Sequence, residues 1–287
     1  MSEVLIDVDA LTEAMLSDRP PVICDVRWQL GSDDGRERYR QGHLPGAVYV
    51  DLDTELADPP SAERGRHPLP SLARLQDAAR RWGVDDSSPV VVYDDIGNMA
   101  SARAWWLLRW AGHADVRILD GGLAAWRSAG MRLSTGDTTP RPGTVCLSVD
   151  NLTQVSIDEV ARLSSRVRAE GADGVVIVDA RAGERYRGEA EPMDPRAGHI
   201  PGAVSVPAGD NLGADGRFLP AAALRERFEA AGITERSDVI AYCGSGVTAA
   251  HQLAALEVAG FSGALFAGSW SQWSADPGRM VAVGPNP

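Results

Sequence analysis

The sequence predicts an α/β protein built twice: two domains, each a mainly parallel sheet with helices on both faces. Three observations carry this. The chain contains an ordered internal repeat. Within each copy, short β-branched runs alternate with helical patterns, as in α/β folds. The 287 residues, 44% hydrophobic and 24% charged, suit two globular domains with full cores.

The repeat is read from four matched stretches. "VICDVRW" at Val22–Trp28 pairs with "VIVDAR" at Val176–Arg181, and "GHLPGAVYVD" at Gly42–Asp51 with "GHIPGAVSVP" at Gly198–Pro207. "VVVYDD" at Val90–Asp95 pairs with "VIAYCG" at Val239–Gly244, and "ILDGGLAAW" at Ile118–Trp126 with "LFAGSWSQW" at Leu265–Trp273. The partners stay in order, and their separation drifts only by insertions that belong in loops. The unit of about 130 residues is far longer than a solenoid period, so each copy is a whole domain. A Thr-, Gly- and Pro-rich stretch that begins at Met131 separates them. The expected organisation is a domain over 1–135, a linker over 136–150 and a domain over 151–287.

Along the first copy, "VICDV", "VVVYD" and "VRIL" are continuous apolar runs, as expected for strands buried on both faces. "SLARLQDAARRWG" (Ser71–Gly83) reads as a helix with a Ser N-cap and a closing Gly, and "ASARAWWLLRWAG" (Ala100–Gly112) as a second. In the second copy, strand "VIAY" gives way to a helix starting near Thr248. Ligands of such sheets bind beyond the carboxyl ends of the strands, and Cys243 stands there.

The net charge of −12 argues against nucleic acid and anionic membrane surfaces as partners. An anionic ligand would need locally placed arginines or backbone N–H groups. The start "MSEVLIDVDA" lacks a signal-peptide pattern, and no apolar run approaches the ~20 residues of a membrane span, so a cytoplasmic protein is expected. Cys24, Cys146 and Cys243 are too few and too scattered for a disulfide framework or a zinc site.

The stretch "YCGSGVTAAHQLAA", Tyr242–Ala255, carries the chemistry. Gly244 and Gly246 let the backbone turn N–H groups inward into an anion nest, and the following helix adds the positive end of its dipole. Such surroundings lower a thiol pKa from ~8.5 to as low as ~3.5–7.5. A cysteine phosphatase would also want an Arg six residues on, where Ala249 stands, and no Arg occurs from Tyr242 to Gly260. A Cys–His hydrolase would need His251, eight residues on in the helix, as its base. Sulfur transfer needs only the nucleophile and the cradle.

The chain resembles the tandem-domain rhodaneses, the thiosulfate and 3-mercaptopyruvate sulfurtransferase family. The resemblance rests on "DVR"/"DAR", "GHLPGA"/"GHIPGA", "VVYDD"/"IAYCGSGVTAA", "DGGLAAW" and "AGSWSQW", which together cover most of the chain. It implies two rhodanese-like domains with the nucleophile, Cys243, in the second copy only. Asp94 takes that place in the first copy, which would then be inactive and wall the cleft. "CGSGVT" resembles the mercaptopyruvate type more than the thiosulfate type, whose loop carries basic residues just after the cysteine. In that type a Ser, an Asp and a His are proposed to relay protons; Ser245, Asp53 and His67 match here. Two arginines orient the donor; Arg185 and Arg196 match. The loop residues Gly244, Gly246, Val247 and Thr248 would hold donor and persulfide by their N–H groups. No metal or organic cofactor is implied. The implied partners are a small anionic sulfur donor and a thiol, cyanide or protein acceptor, and a monomer is expected.

Plainer roles compete. Ser245 and Thr248 are also helix-capping hydroxyls by type. His43, His199, Asp25 and Asp179 occur in both copies, one of them inactive, and read as structural. Cys24 and Cys146 read as residues without chemistry. Two further functions stand beside the mercaptopyruvate enzyme: a thiosulfate sulfurtransferase, and a non-catalytic rhodanese binding or sulfur-carrier module.

Overall fold

The computed structural model describes residues 4–149, 151–171 and 174–287. The described chain divides into two compact units. The first holds residues up to Asp58, Leu69–Leu152 and Leu212–Phe218; the second holds Pro59–Pro68, Thr153–Asn211 and Leu219–Pro287.

The first unit contains β1 (Leu5–Ile6), α1 (Val8–Met15), β2 (Val22–Asp25), α2 (Gly35–Gln41), β3 (Val48–Tyr49), α3 (Leu52–Glu55), α4 (Leu72–Arg81), β4 (Val90–Tyr93), α5 (Ser101–Trp110), β5 (Val116–Leu119) and α6 (Gly122–Ser128). The strands pair in parallel in the order β1-β5-β4-β2-β3. Both helices expected from spacing form. Ser71 caps α4, its hydroxyl accepting from the Arg74 N–H, and Gly83 and Gly112 follow α4 and α5 in left-handed conformations. Trp105 and Trp106 on α5 are almost wholly buried. Val145, from the expected linker, is buried with its N–H on the Val84 carbonyl. Asp150, the linker's expected last residue, lies outside the described residues.

The second unit contains α7 (Ile157–Glu170), β6 (Val175–Asp179), α8 (Gly183–Tyr186), β7 (Ala203–Ser205), α9 (Ala221–Ala230), β8 (Asp238–Tyr242), α10 (Thr248–Val258), β9 (Ala264–Leu265) and α11 (Ser269–Ala275). Its parallel sheet runs β7-β6-β8-β9. Val160, Ile177, Ile240, Phe266 and Trp270 belong to its apolar core. Each unit is thus a parallel sheet flanked by helices.

The repeat holds at the level of individual bonds. Asp25 lies in register with Tyr93, and Asp179 with Tyr242, at the carboxyl ends of neighbouring strands. Arg27 donates to Asp25 and to the Gly42 carbonyl; Arg181 donates to Asp179 and to the Gly198 carbonyl. His43 stacks on Tyr39 and bonds its carbonyl, and His199 does the same with Tyr186. These buried charges and rings anchor the strand ends from which the site loops leave.

Candidate active site

Cys243 follows β8 and is 3% exposed. The Gly246 N–H donates to its Sγ at 3.2 Å. Gly246 is left-handed (φ 79°), and a Cβ there would collide with the Ala267 carbonyl oxygen, so glycine alone fits the turn. The loop is bound to the start of α11. The Trp270 and Ser271 N–H groups donate to the carbonyls of Cys243 and Gly244 at 3.0 and 2.9 Å. Val247 occupies the N-cap position of α10 and no side chain caps that helix, so the capping role read for Thr248 is corrected: Thr248 is the first helical residue.

The first unit shows what this loop can hold. Asp94, at the position of Cys243, is fully buried, and its carboxylate accepts from the N–H groups of Ile96, Asn98, Ala100 and Ser101 at 2.7–2.9 Å. Burial pushes its carboxyl above the usual carboxylate range, and the four N–H donors offset that rise only in part. The cradle of the first copy is filled by an acid of its own chain.

His67 and Ser245 are brought together: Nδ1 and Oγ share a 2.7 Å hydrogen bond, and both residues are buried. His67 comes from residues 59–68, which belong to the second compact unit. A turn between Ser61 and Gly65, closed by reciprocal backbone bonds, carries this segment. Its Glu63 carbonyl accepts from the Gln272 amide, and its Arg66 N–H donates to Ser271 Oγ. Asp53 stands on α3 of the first unit, where the Trp28 indole N–H donates to both carboxylate oxygens at 3.1 and 3.2 Å.

Arg185, on α8, faces the loop: its Nη1 lies 3.4 Å from where a Cβ on Gly244 would be. It pairs with Glu191 at 2.6 Å and Asp194 at 3.3 Å. Arg196, the second arginine expected on the donor, is turned elsewhere. Its guanidinium donates to the carbonyls of Trp273, Ser274, Asp276 and Arg279, at and just beyond the end of α11. The last carbonyls of a helix lack partners within it, and a planar fork satisfies several at once. The residue beside Arg185 is Arg66, whose Nη2 lies 3.0 Å from the same Gly244 position. Nothing in "ERGRHP", which holds both Arg64 and Arg66, signals this placement.

Ser269 was also missed. It adopts φ 53°, rare outside glycine, and its buried hydroxyl donates to the Phe266 carbonyl at 2.9 Å and accepts from the Cys243 N–H at 3.1 Å. Its repeat partner, Gly122, has the same φ. The signal was present: a serine stands where the other copy needs glycine.

Comparisons with known proteins agree with this fold. The Rhodanese-like domain model matches twice, over residues 8–129 and 159–276. The chain is 50% identical, over 98% of both sequences, to a Mycobacterium tuberculosis (strain H37Rv) protein named "Putative thiosulfate sulfurtransferase SseB". It is 46% identical to a "Probable 3-mercaptopyruvate sulfurtransferase" of Pseudomonas aeruginosa, over 94% of this chain and 95% of that one. Among solved structures, the 3-mercaptopyruvate sulfotransferase SseA of Escherichia coli matches with TM-score 0.81 and 31% identity, over 93% of this chain and 99% of that one. No helix among the described residues is long and apolar enough to cross a membrane. Two matches of the family model on a parallel α/β unit present in two copies place the chain plainly: it belongs to the rhodanese-like family and is a tandem-domain sulfurtransferase.

Proposed function

We propose that the protein moves sulfane sulfur from 3-mercaptopyruvate, through a Cys243 persulfide, to cyanide or a thiol acceptor. The observation that carries this reading is the His67–Ser245 hydrogen bond beside the cysteine loop. Cleaving mercaptopyruvate requires proton movement. The Cys243 thiolate attacks the donor sulfur, the S–S bond forms and the C–S bond breaks. The electron pair leaves on carbon as the enolate of pyruvate. The persulfide proton then passes to that carbon, giving pyruvate and the persulfide anion. In this reading the hydrogen-bonded His67 and Ser245 carry the proton, with Asp53 as the third member of the relay. The N–H groups of Gly244 to Thr248 stabilise the sulfur anion, as the carboxylate of Asp94 is stabilised in the first unit. Arg185 orients the donor carboxylate. Arg196 acts through α11, whose first residues hold the cysteine loop.

Residues 1–135 are taken as the inactive copy, 136–150 as the linker and 151–287 as the catalytic copy, with His67 supplied from 59–68. The unpaired cysteines suit a reducing cytoplasm. Thiosulfate is the second reading: two guanidiniums beside Gly244 would also suit a dianion. Its cleavage releases sulfite and needs no proton.

The test is intact-mass analysis after exposure to each donor. The wild-type chain is expected to gain about 32 Da, one sulfur atom, and Cys243→Ser nothing. His67→Gln should slow uptake from mercaptopyruvate by ~100-fold and uptake from thiosulfate much less. A non-catalytic binding module would gain no mass from either donor. Equal slowing with both donors, or a wild-type rate ten-fold faster with thiosulfate, would reverse the donor assignment.

A further inference from the structure

The direction of the Arg66 side chain is set by the turn before it. Gly65 is left-handed (φ 87°), and a Cβ there would stand 2.7 Å from the Gly268 carbonyl oxygen and 2.8 Å from Ser271 Oγ. The chain therefore lies directly on the start of α11, and the Arg66 N–H donates to Ser271 Oγ at 3.1 Å. The guanidinium comes out over Gly244.

There it meets Arg185. Nη2 of Arg66 and both Nη atoms of Arg185 lie 3.0–3.9 Å from the point a Gly244 Cβ would occupy. Two like charges this close need a counter-charge. Asp194 supplies it: one oxygen pairs with Arg66 and the other with Arg185. Glu191 fixes Arg185 from behind at 2.6 Å and reaches Arg181 at 3.3 Å. The side chains of Glu191 and Asp194 are almost fully buried, whereas those of Arg66 and Arg185 remain 23% and 18% exposed. The Nε atoms of both arginines are buried and make no hydrogen bond among the described residues. Two forks are thus held by buried acids, with donor capacity left over, around the residue that follows the nucleophile.

We propose that Arg66 is a donor-recognition residue, forming with Arg185 a two-guanidinium clamp over Gly244 for the carboxylate of the sulfur donor, with Asp194 as the spacer that holds the forks apart. The proposal rests on the sulfurtransferase reading of Cys243. A planar fork binds a carboxylate through two parallel N–H bonds, and lysine cannot reproduce this. The carboxylate of a 2-oxo acid and the sulfonate end of thiosulfate share the anionic chemistry; the experiment separates them.

Full-length Arg66→Ala, Arg66→Gln and Arg66→Lys chains are compared with wild type for 3-mercaptopyruvate and thiosulfate, with a melting curve for each variant. Arg66→Ala and Arg66→Gln are expected to raise KM for mercaptopyruvate at least ~10-fold with kcat within about threefold, and Arg66→Lys to recover only part. Pyruvate, an unreactive carboxylate, should protect Cys243 from alkylation, and the half-protecting concentration should rise in step with KM. A purely structural Arg66 would lower the melting temperature or kcat and leave both of these in place, which would overturn the proposal. A rise in KM for thiosulfate alone would overturn the carboxylate assignment. An unchanged KM for both donors in a chain that still gains sulfur would remove Arg66 and leave the sulfurtransferase reading standing. Only a wild-type chain that gains no sulfur removes both.

Discussion

Ser269 holds a conformation that costs a non-glycine residue about 1–2 kcal/mol. The residue repeated in the first unit, Gly122, has none of that cost, because it has no Cβ to clash; a Cβ there would lie 2.5 Å from the Asp94 carbonyl oxygen. The strain at Ser269 is offset by two hydrogen bonds of its hydroxyl, one of them from the amide of Cys243. Ser269→Gly keeps the backbone shape and removes the hydroxyl. Its stability is expected within about 1 kcal/mol of wild type, since relieved strain and lost bonds nearly cancel. The rate of sulfur uptake should fall roughly 10-fold, because the backbone of Cys243 loses a fixed partner. Stopped-flow or quenched mass measurements beside a melting curve check both; an unchanged rate would make the serine a packing residue. Cys243 and Ser245 were legible from "CGSGVT", because glycine spacing reports loop shape directly. The partners of Arg196 and Arg66 were not, because a guanidinium reaches several ångströms from its backbone and its direction depends on which segments pack nearby.

At the scale of elements, the strand–loop–helix units β4–α5 and β8–α10 are one device in two states. In the first, Asp94 spans the cradle and uses four N–H groups; in the second, the Gly246 N–H points at sulfur. Asp94→Ala would strip those donors of their acceptor in a fully buried site. It is expected to destabilise the first unit by about 2–3 kcal/mol, read as a lowered denaturant midpoint. A shift below about 0.5 kcal/mol would mean that water replaces the carboxylate without loss. The helices over 71–83 and 100–112 were readable from their capping Ser, closing Gly and apolar spacing. The helix from Thr248 was readable as well, its start included; only the cap was not, since Val247 stands at the N-cap and no side chain caps that end.

Over the whole molecule, the order of the chain and the membership of the units differ. Residues 59–68 lie within the first repeat of the sequence yet belong to the second compact unit, and 212–218 lie within the second yet belong to the first. His67 and Arg66 both ride on 59–68. Residues 151–287 produced alone therefore carry Cys243 and Ser245 but lack His67 and Arg66. Sulfur uptake from mercaptopyruvate by that fragment, once shown folded by circular dichroism, is expected at least ~100-fold slower than by the full chain. Uptake at the full-chain rate would show that 59–68 has no part in the site.

The sequence by itself determined the duplicated α/β architecture, the identity of the cysteine-bearing copy and the character of its loop. These follow from local patterns: apolar runs, glycine positions and a repeat that exposes Asp94 against Cys243. Only the tertiary structure decided which distant side chains face that loop. It set His67 on Ser245, placed Arg66 beside Arg185, and turned Arg196 to the end of α11. The physical reason is that long polar side chains are directed by buried counter-charges and orphaned helix carbonyls, which lie close in space and far apart along the chain.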